Sequence, residues 1–509
     1  MATTPSYIYD LLHPELVNLD RFMSSLAPRP VNAADRIEEP SVGWQEMAED
    51  WLVVRDLKGE TRGMRLVGER WLPRFSQESK LEYQHRLNNS FLIDMLGDTI
   101  DEMVSKPFSK GISFSGTVPQ WVEEMNKNVD GRGTTIHEFA ENVFESALWW
   151  GKAHVAVDAR GMISEDEIPA TPQVRAFRGA RPRFRCVPGP NALSWRRSED
   201  GERAVAEVRF YERVVDGTQI IELLHVWDDA RLVEHQRDYT TDTFVESSSR
   251  KNFVGALPIV TFYTKRTAEF MAKPPFMDIA WINVDHWQSY SDQRSILHTA
   301  RVPLLFKRGF SDKELKAGAT VVGAKRSVGT SNTQADMHYV EVDGASMEQG
   351  DKHLKGLQDA AREKGAKPLY AKGPVTATGE YRADEKASCD IQAWSQGLER
   401  VLRDAYVFAQ KTVPGLEPLP DDFGVDVFSD FDLRDSSSTD LSGLAADRVR
   451  GDISRVAYLT ECKRRGRLPE DFDIEADKVL LDQEAADAMD AMGDDEELDR
   501  GEAKLGAKK

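Results

Sequence analysis

The chain has 509 residues, which at about 150 residues per domain predicts three domains or a few interlocked subdomains. Its 66 basic and 86 acidic residues give a net charge of −20, which excludes general coating of nucleic acid and restricts any DNA contact to local or transient ones. The 3 cysteines are far apart and odd in number, which argues against a disulfide framework and favours a cytoplasmic chain. Neither an apolar run of about 18 residues nor a signal-peptide pattern is present, so we expect neither a membrane protein nor a secreted one.

Three helices are predicted in the first 150 residues, because apolar residues recur there at helical spacing. Thr134 or Thr135 is a plausible N-cap for the third segment, and Gly151 follows its end. Residues 27–42 are predicted to form a linker, and three glycines are predicted to mark turns. The helical segments are Ser6–Ala27, Ser79–Lys106 and Thr135–Trp150, and the turn glycines are Gly59, Gly63 and Gly68.

The following region is predicted to be mostly antiparallel sheet. Residues 153–158 alternate like a strand, and residues 181–265 are mostly strand-like. Asp216-Gly217, between two apolar and β-branched runs, is a strong signal for a β-hairpin. Helices followed by such a sheet predict an α+β fold class.

The middle of the chain predicts two helices that enclose a small insertion. Residues Asp278–Ala300 form one uninterrupted helical pattern, about 35 Å long at 1.5 Å per residue, and Pro303 ends it. A Gly-rich insertion of some 45 residues with strand-like ends follows, and Ser346–Glu363 is helical again. The sequence therefore predicts a helical hairpin that carries a small α/β insertion at its tip.

The C-terminal part begins with a long polar loop and a long helix. Residues 365–383 are a loop of the length that is usually functional or mobile, and Asp384–Thr412 is a long helical pattern. Two shorter helices are predicted at Asp440–Arg450 and Arg455–Arg465, separated by a turn with Ser454 as N-cap. The last 40 residues contain 15 acidic and 5 basic side chains, which is typical of a solvated, partly disordered tail.

The sequence contains none of the familiar catalytic or nucleotide-binding motifs, so no catalytic, cofactor-binding or metal residue is predicted. His286 and His298 are too far apart along one helix to share a metal, and packing is the better interpretation. Asp426, Asp430 and Asp432 alternate in a way that could bind a divalent ion, but ordinary strand-end and turn carboxylates are the better interpretation.

Two features of the helical hairpin stand out from the background. The first helix carries three aromatic residues, which either pack against the N-terminal region or form contacts between copies of the hairpin. The second helix and the loop after it carry a run of cations, which are either a solvated face or, if the hairpin lines a pore, rings that contact DNA phosphates. The aromatic residues are Trp281, Trp287 and Tyr290, and the cations are Lys352, Lys355, Arg362, Lys364, Lys367 and Lys372.

One stretch of the sequence resembles tailed-bacteriophage portal proteins, the head–tail connectors. It consists of PPFMDIAWINVDHWQS at residues 274–289 and the segments Ser291-Asp-Gln-Arg294, Leu297-His298 and Arg301-Val-Pro303 that follow. Two further segments are similar to the ends of one portal subfamily found in phages and prophages. They are the segment from Trp51 to Pro73 and the segment from Gly451 to Asp473. The motifs are structural rather than catalytic, and together they cover nearly the whole chain.

The resemblance implies a portal fold, with an α/β wing, a stem of two helices, a small α/β clip between those helices, a tunnel loop and a helical crown region. It implies that residues 1–273 are the wing, 274–301 the first stem helix, 302–345 the clip, 346–364 the second stem helix, 365–383 the tunnel loop, 384–414 a long wing helix, and 415–509 the C-terminal wing and crown region with its acidic tail.

The resemblance also implies a non-enzymatic function. Portal proteins form rings, usually of twelve subunits, at one vertex of the capsid, assembled in the host bacterial cytoplasm. Double-stranded DNA passes through the ring during packaging and ejection. The implied partners are further copies of the chain, terminase, the major capsid protein, a scaffold if present, and then the head–tail adaptor; no membrane and no cofactor is implied. Two alternatives stay open, a metal-dependent enzyme that processes nucleic acid and another capsid-associated structural protein.

Overall fold

A computed structural model of the chain describes residues 16–24, 37–160, 181–197, 205–301, 304–310, 332–340, 344–366, 389–413, 415–429, 438–464, 468, 472–481 and 483. The chain divides into two compact units, Met1–Asp430 and Phe431–Lys509. Helices and sheets are both well represented in the described residues, which confirms the predicted α+β class. Within the same residues, no helix combines the length and apolar character that crossing a bilayer requires.

The N-terminal part of the first unit is helical. The helix predicted over Ser6–Ala27 is confirmed only in part, since residues 16–18 are not helical and the first helix begins at Leu19. The two helices that follow were not predicted. Ser41 caps the second helix by accepting a hydrogen bond from the Trp44 backbone N–H, and Gly59 ends that helix. The prediction of a turn at Gly63 is wrong. Gly63 lies inside a helix, where a Cβ atom would come within 2.7 Å of the Asp56 carbonyl oxygen, so glycine permits close packing of two helices. The helices are α1 (Leu19–Ser24), α2 (Val42–Lys58) and α3 (Glu60–Val67).

The single helix predicted over Ser79–Lys106 is wrong, since the segment forms two helices, α4 (Lys80–Asn89) and α5 (Met95–Ser105). Ser79 and Glu82 form a capping box at the start of α4, and the Asp94 carboxylate accepts from the Gly97 N–H at the start of α5. Asn283, which is distant in sequence, also stabilises the non-helical segment between α4 and α5. Its side chain donates to the Ile93 carbonyl and accepts from the Leu96 N–H.

The third predicted helix is confirmed together with its caps. α6 (Gln120–Asn126) precedes it, and α7 (Ile136–Trp150) begins at Thr135, which forms a capping box with Glu138. Gly151 ends α7 with a φ of 83°, a left-handed conformation that glycine adopts without strain.

The sheet region consists of a three-stranded and a five-stranded antiparallel sheet. The first has the strand order Arg181–Pro188, Lys152–Arg160, Ile259–Tyr263, and the second is a meander of the five strands between Ala192 and Lys251. In the hairpin predicted at Asp216-Gly217, Asp216 pairs with Gln219, so Gly217 and Thr218 form the loop. The strands are β1 (Ser113–Ser115), β2 (Lys152–Arg160), β3 (Arg181–Pro188), β4 (Ala192–Arg196), β5 (Glu207–Asp216), β6 (Gln219–Trp227), β7 (Arg231–Asp238), β8 (Thr243–Lys251), β9 (Ile259–Tyr263), β10 (Arg266–Ala268) and β11 (Met271–Ala272).

A hydrophobic core joins the two sheets. Phe210, Trp227 and Phe270 are buried together, and the half-buried Trp195 packs against them. Further indole rings, those of Trp44 and Trp51, are fully buried where α2 meets this region. The first unit therefore has a large aromatic core that positions the elements described next.

Both helices of the predicted hairpin are confirmed and are slightly longer than expected, α8 at Met277–Arg301 and α9 at Gly344–Ala366. Between them lie two paired strands, β12 (Leu304–Arg308) and β13 (Asp336–Val340). The long helix α10 spans Asp390–Thr412 and packs on the three-stranded sheet. The prediction that this helix starts at Asp384 is wrong, because Cys389 is extended and is the N-cap of α10; Asp384 itself lies outside the described residues. The remaining elements are β14 (Gly424–Asp426), paired with β1, and in the second unit α11 (Ser438–Arg450) and α12 (Arg455–Arg464).

Candidate functional site

The α8–α9 hairpin is the candidate functional element, and three side-chain contacts fix its register. Near one end, Lys364 of α9 binds the Asp278 carboxylate of α8 at 2.8 Å. In the middle, the side chains of His286 and Gln358 are 3.2 Å apart. Towards the other end, the Gln293 side-chain amide donates to the Met347 carbonyl at 2.9 Å. Because the partner moves back along α9 as the position moves forward along α8, the helices are antiparallel over their length.

The hairpin continues beyond the helices as a two-stranded ribbon. Leu304 pairs with Val340 and Arg308 with Asp336, so β12 and β13 extend the antiparallel arrangement of α8 and α9. Residues 311–331, between the strands, lie outside the described residues. The predicted insertion between two antiparallel helices is therefore present, with a β-ribbon at its base.

Buried polar side chains attach α8 to the N-terminal helices. Asn283 is fully buried and bonds to the segment between α4 and α5, as described above. The hydroxyl groups of Ser90 and Ser291 are 2.8 Å apart, and the Gln288 side chain donates to the Trp71 carbonyl at 2.9 Å. The sequence analysis missed these residues, although polar residues recurring on one side of a long helix are the signal that could have found them.

The three aromatic candidates of α8 have different surroundings. Trp287 is fully buried inside the chain, so its ring has no surface left for another copy. Tyr290 is half-buried and stacks on His286, with ring centroids 5.6 Å apart. Trp281 keeps 49% of its surface exposed and contacts the Trp71 ring edge-on at 5.8 Å. Of the three, Trp281 offers the most surface to a partner.

The cationic candidates do not form one continuous surface. Lys352 pairs with Glu348 at 2.8 Å, Arg362 with Asp359 at 3.3 Å, and Lys364 with Asp278 of the other helix. Lys355 is exposed and has no ion-pair partner among the described residues. Seven residues separate Lys355 from Arg362, which puts them on the same face of α9, whereas Lys364 lies on the flank that meets Asp278.

The two remaining candidates of the run, Lys367 and Lys372, lie outside the described residues. On α9 itself, acidic residues lie within one turn of Lys352 and Arg362. Any ring built from these cations by repetition of the chain therefore alternates with carboxylates.

Of the possible metal ligands named from the sequence, His286 and His298 are not brought together in the structure. His286 is buried, and burial lowers its pKa, while His298 is exposed on another part of α8. Asp426 is exposed in β14, and Asp430 and Asp432 lie outside the described residues. Among the residues that the structure describes, no three His, Cys, Asp or Glu side chains are grouped in a way that could hold a metal ion.

Comparison with known proteins gives one family match and several similar solved structures. The family is described as a domain of unknown function, DUF4055, and it matches residues 275–411, which include the hairpin and most of α10. None of the curated proteins matches this sequence.

Two of the similar structures are titled as necks of gene transfer agent particles. The neck of an empty particle, computed with C6 symmetry, is 11% identical over 73% of this chain and 89% of that chain, with a TM-score of 0.39. The neck of a native particle, computed with C12 symmetry, is 12% identical over 71% and 87%, with a TM-score of 0.36.

A third structure is titled as the virion of a native gene transfer agent particle. It is 11% identical over 80% of this chain and 98% of that chain, with a TM-score of 0.38. Because TM-scores below 0.5 do not establish a shared fold, the proposals below rest on the sequence and on the geometry of this chain.

Proposed function

We propose that the chain is a ring-forming structural subunit of the portal type in a phage-like particle. The observation that carries the proposal is the antiparallel α8–α9 hairpin with its inserted segment, at the position where the sequence resembles portal stems. A long hairpin anchored at one end by buried side chains and extended at the other by an insertion suits a repeated wall element rather than a catalytic pocket.

In this proposal, copies of the hairpin stand side by side around a channel that conducts double-stranded DNA. A heterologous contact that repeats by rotation closes into a ring. The net charge of −20 per copy makes the assembly strongly acidic, so DNA passes without tight binding. The inserted segment docks terminase first and the head–tail adaptor afterwards, and the ring occupies a capsid vertex in contact with the major capsid protein.

The mass and shape of the purified protein test the proposal. We expect native mass measurement and negative-stain images to give rings of about twelve subunits with a central hole. A compact dimer or tetramer without a hole would contradict the proposed ring and would favour the alternative of an enzyme that processes nucleic acid.

Lys355 allows a test of the channel surface. Replacing Lys364 is a poor test, because it also removes the contact with Asp278 within the hairpin. We expect Lys355→Glu to leave ring mass unchanged and to reduce the amount of DNA packaged or retained, because it adds a repulsive charge at each repeat. Lys80→Glu, at another exposed lysine, is the matched control. If particles that contain Lys355→Glu filled with DNA normally, the result would contradict the proposal that α9 lines the channel.

A further inference from the structure

A groove in the first unit is bordered by two strand edges. β3 is an edge strand of the three-stranded sheet, and β4 pairs with β5 only as far as Phe210. From Tyr211 onwards, β5 therefore pairs with β6 alone among the strands that the structure describes. These two edges and α7 line the groove, whose volume is about 440 Å³. Pockets of about 300–1,000 Å³ are typical of sites for small organic molecules.

The lining of the groove combines an apolar part with an excess of cations. Its apolar part includes the buried side chains of Trp150 and Phe210. Its charged part contains four cations but two carboxylates, in a chain whose net charge is −20. The cations are Lys58, Arg132, Arg185 and Arg213, and the carboxylates are Glu145 and Glu212. Such a lining suits a ligand that has both negative charge and an apolar body.

The carboxylates near the groove are shared between several cations. Glu212 binds both Arg132 and Arg185. Arg185 also contacts Asp158 at 3.2 Å, but two further arginines bind the same carboxylate. The Nε atom of Arg185 is buried and has no hydrogen-bond partner among the described residues. A buried donor without a partner costs stability, and an anion in the groove is the type of group that satisfies it.

The ionisation of Glu212 reflects the positive potential of the groove. Burial by itself raises the pKa of this carboxyl group, but the hydrogen bond with His225 and the charges of Arg185 and Arg132 lower the pKa to about 2. Glu212 therefore stays charged although it is half-buried. The same cations attract any other anion that enters the groove.

We propose that this groove binds a small phosphate ester, of about the size of a nucleoside monophosphate. A phosphate ester carries nearly two negative charges at pH 7, which match the excess of two cations in the lining. Guanidinium groups bind phosphate oxygens through two parallel hydrogen bonds. Trp150 and Phe210 offer apolar contact to the rest of the molecule. The site belongs to the sheet region and does not involve the α8–α9 hairpin.

Calorimetric titration of the purified full-length chain tests the ligand class. The probes are AMP and phenyl phosphate, and the controls are their two halves, adenosine and inorganic phosphate. We expect both esters to bind with a Kd below about 1 mM and at least about fivefold more tightly than either half. Failure of both esters to bind would overturn the inference. Equal binding of inorganic phosphate and the esters would also overturn it, since it would indicate a site for anions alone.

Two variants that change the charge of the lining in opposite directions test the location. We expect Arg213→Gln to weaken AMP binding at least about fivefold, because it removes a cation from the lining. We expect Glu145→Gln to strengthen binding about threefold, because it removes a carboxylate and frees Lys58, which now binds Glu145 at 3.0 Å. A disturbance of packing would weaken binding in both variants.

The matched controls lie outside the groove. Arg231→Gln, at an exposed residue of β7, is the control for the arginine variant, and Glu123→Gln, at an exposed residue of α6, is the control for the glutamate variant. Both should keep the wild-type affinity. Unchanged affinity in Arg213→Gln and Glu145→Gln would overturn the inference. The titrations measure binding and not assembly, so their failure would leave the proposed ring unaffected.

Discussion

At the scale of single residues, two buried ionisable groups control how the first unit responds to pH. Lys152 is fully buried, and its ammonium group donates to the Phe270 carbonyl and lies 4.9 Å from the centroid of the Trp195 ring. No carboxylate is within ion-pair distance of it among the described residues. Burial therefore lowers the pKa of Lys152 from 10.5 to about 7.

This shift predicts a rise in stability with pH. Because the unfolded chain binds the proton of Lys152 more tightly, the free energy of unfolding should increase as pH rises from about 7 to about 10. We expect Lys152→Met, which keeps the apolar volume, to flatten this slope in urea titrations at a series of pH values. Lys355→Met, at an exposed lysine, is the control and should keep the wild-type slope. An unchanged slope in Lys152→Met would show that another group causes it.

Asp158 has the opposite surroundings. It is fully buried, and Arg183 binds its two carboxylate oxygens at 2.8 and 2.7 Å, with Arg185 and Arg250 also in contact. Although burial by itself raises the pKa of a carboxyl group, the hydrogen bonds and charges of the arginines hold the pKa of Asp158 well below 3.8. These contacts join β2 and β3 of one sheet to β8 of the other.

We expect Asp158→Asn to lower the free energy of unfolding at pH 7 by about 3–5 kcal/mol, because it removes the buried carboxylate that three half-buried guanidinium groups share. The carboxylate contributes stability above the pKa of the unfolded chain, near 3.8, and this contribution is lost as pH falls further. The difference between variant and wild type in urea unfolding should therefore narrow in strong acid. Asp216→Asn, at the exposed end of β5, is the control, and a loss of the same size there would contradict the assignment.

At the scale of elements, one amide group joins α8 to the break between α4 and α5. Asn283 uses both its donor and its acceptor, at 2.8 Å to the Ile93 carbonyl and 3.1 Å from the Leu96 N–H. This bond pair explains why a continuous helical pattern in the sequence becomes two helices in the fold.

Asn283→Asp keeps the acceptor and the shape but loses the donor and buries a carboxyl group. We expect it to lower the free energy of unfolding by about 2–4 kcal/mol, since it leaves a buried carbonyl unsatisfied and adds a desolvated acid. Thermal unfolding measures the loss. Hydrogen exchange at residues 90–97 should rise more than exchange in β5 and β6. A uniform rise would instead indicate general destabilisation.

Element types were largely predictable where the signal is local. The caps of α7 depend on Thr135, Glu138 and Gly151, which are neighbours in sequence, and the β5–β6 turn depends on Gly217. The prediction of a turn at Gly63 is wrong because glycine at this position allows α3 to approach the Asp56 carbonyl of α2 closely. Such a close approach between helices has no local signature in the sequence.

At the scale of the whole molecule, the net charge sets the cost of assembly. Copies that each carry −20 repel one another, and salt screens this repulsion, with a Debye length of about 10 Å at 0.1 M.

We therefore expect the fraction of protein in rings to rise as NaCl increases from about 20 to about 500 mM, measured by sedimentation or mass photometry. A neutral sugar at the same osmolarity is the control and should have little effect. If salt dissociated the rings, ion pairs rather than apolar packing would hold the copies together.

The α+β class, the hairpin with its inserted segment, both caps of α7, the β5–β6 turn and the acidic charge could be predicted, because these depend on local pattern and composition. Only the tertiary structure shows which polar side chains anchor α8 and that Trp287 is buried while Trp281 is exposed. It also shows that Lys364 forms an ion pair with Asp278 inside the hairpin and does not lie on the same face of α9 as Lys355. These outcomes depend on which distant groups meet across α8 and α9. A one-dimensional pattern of residues cannot specify such meetings, since the same spacing is compatible with burial against the same chain or against another copy.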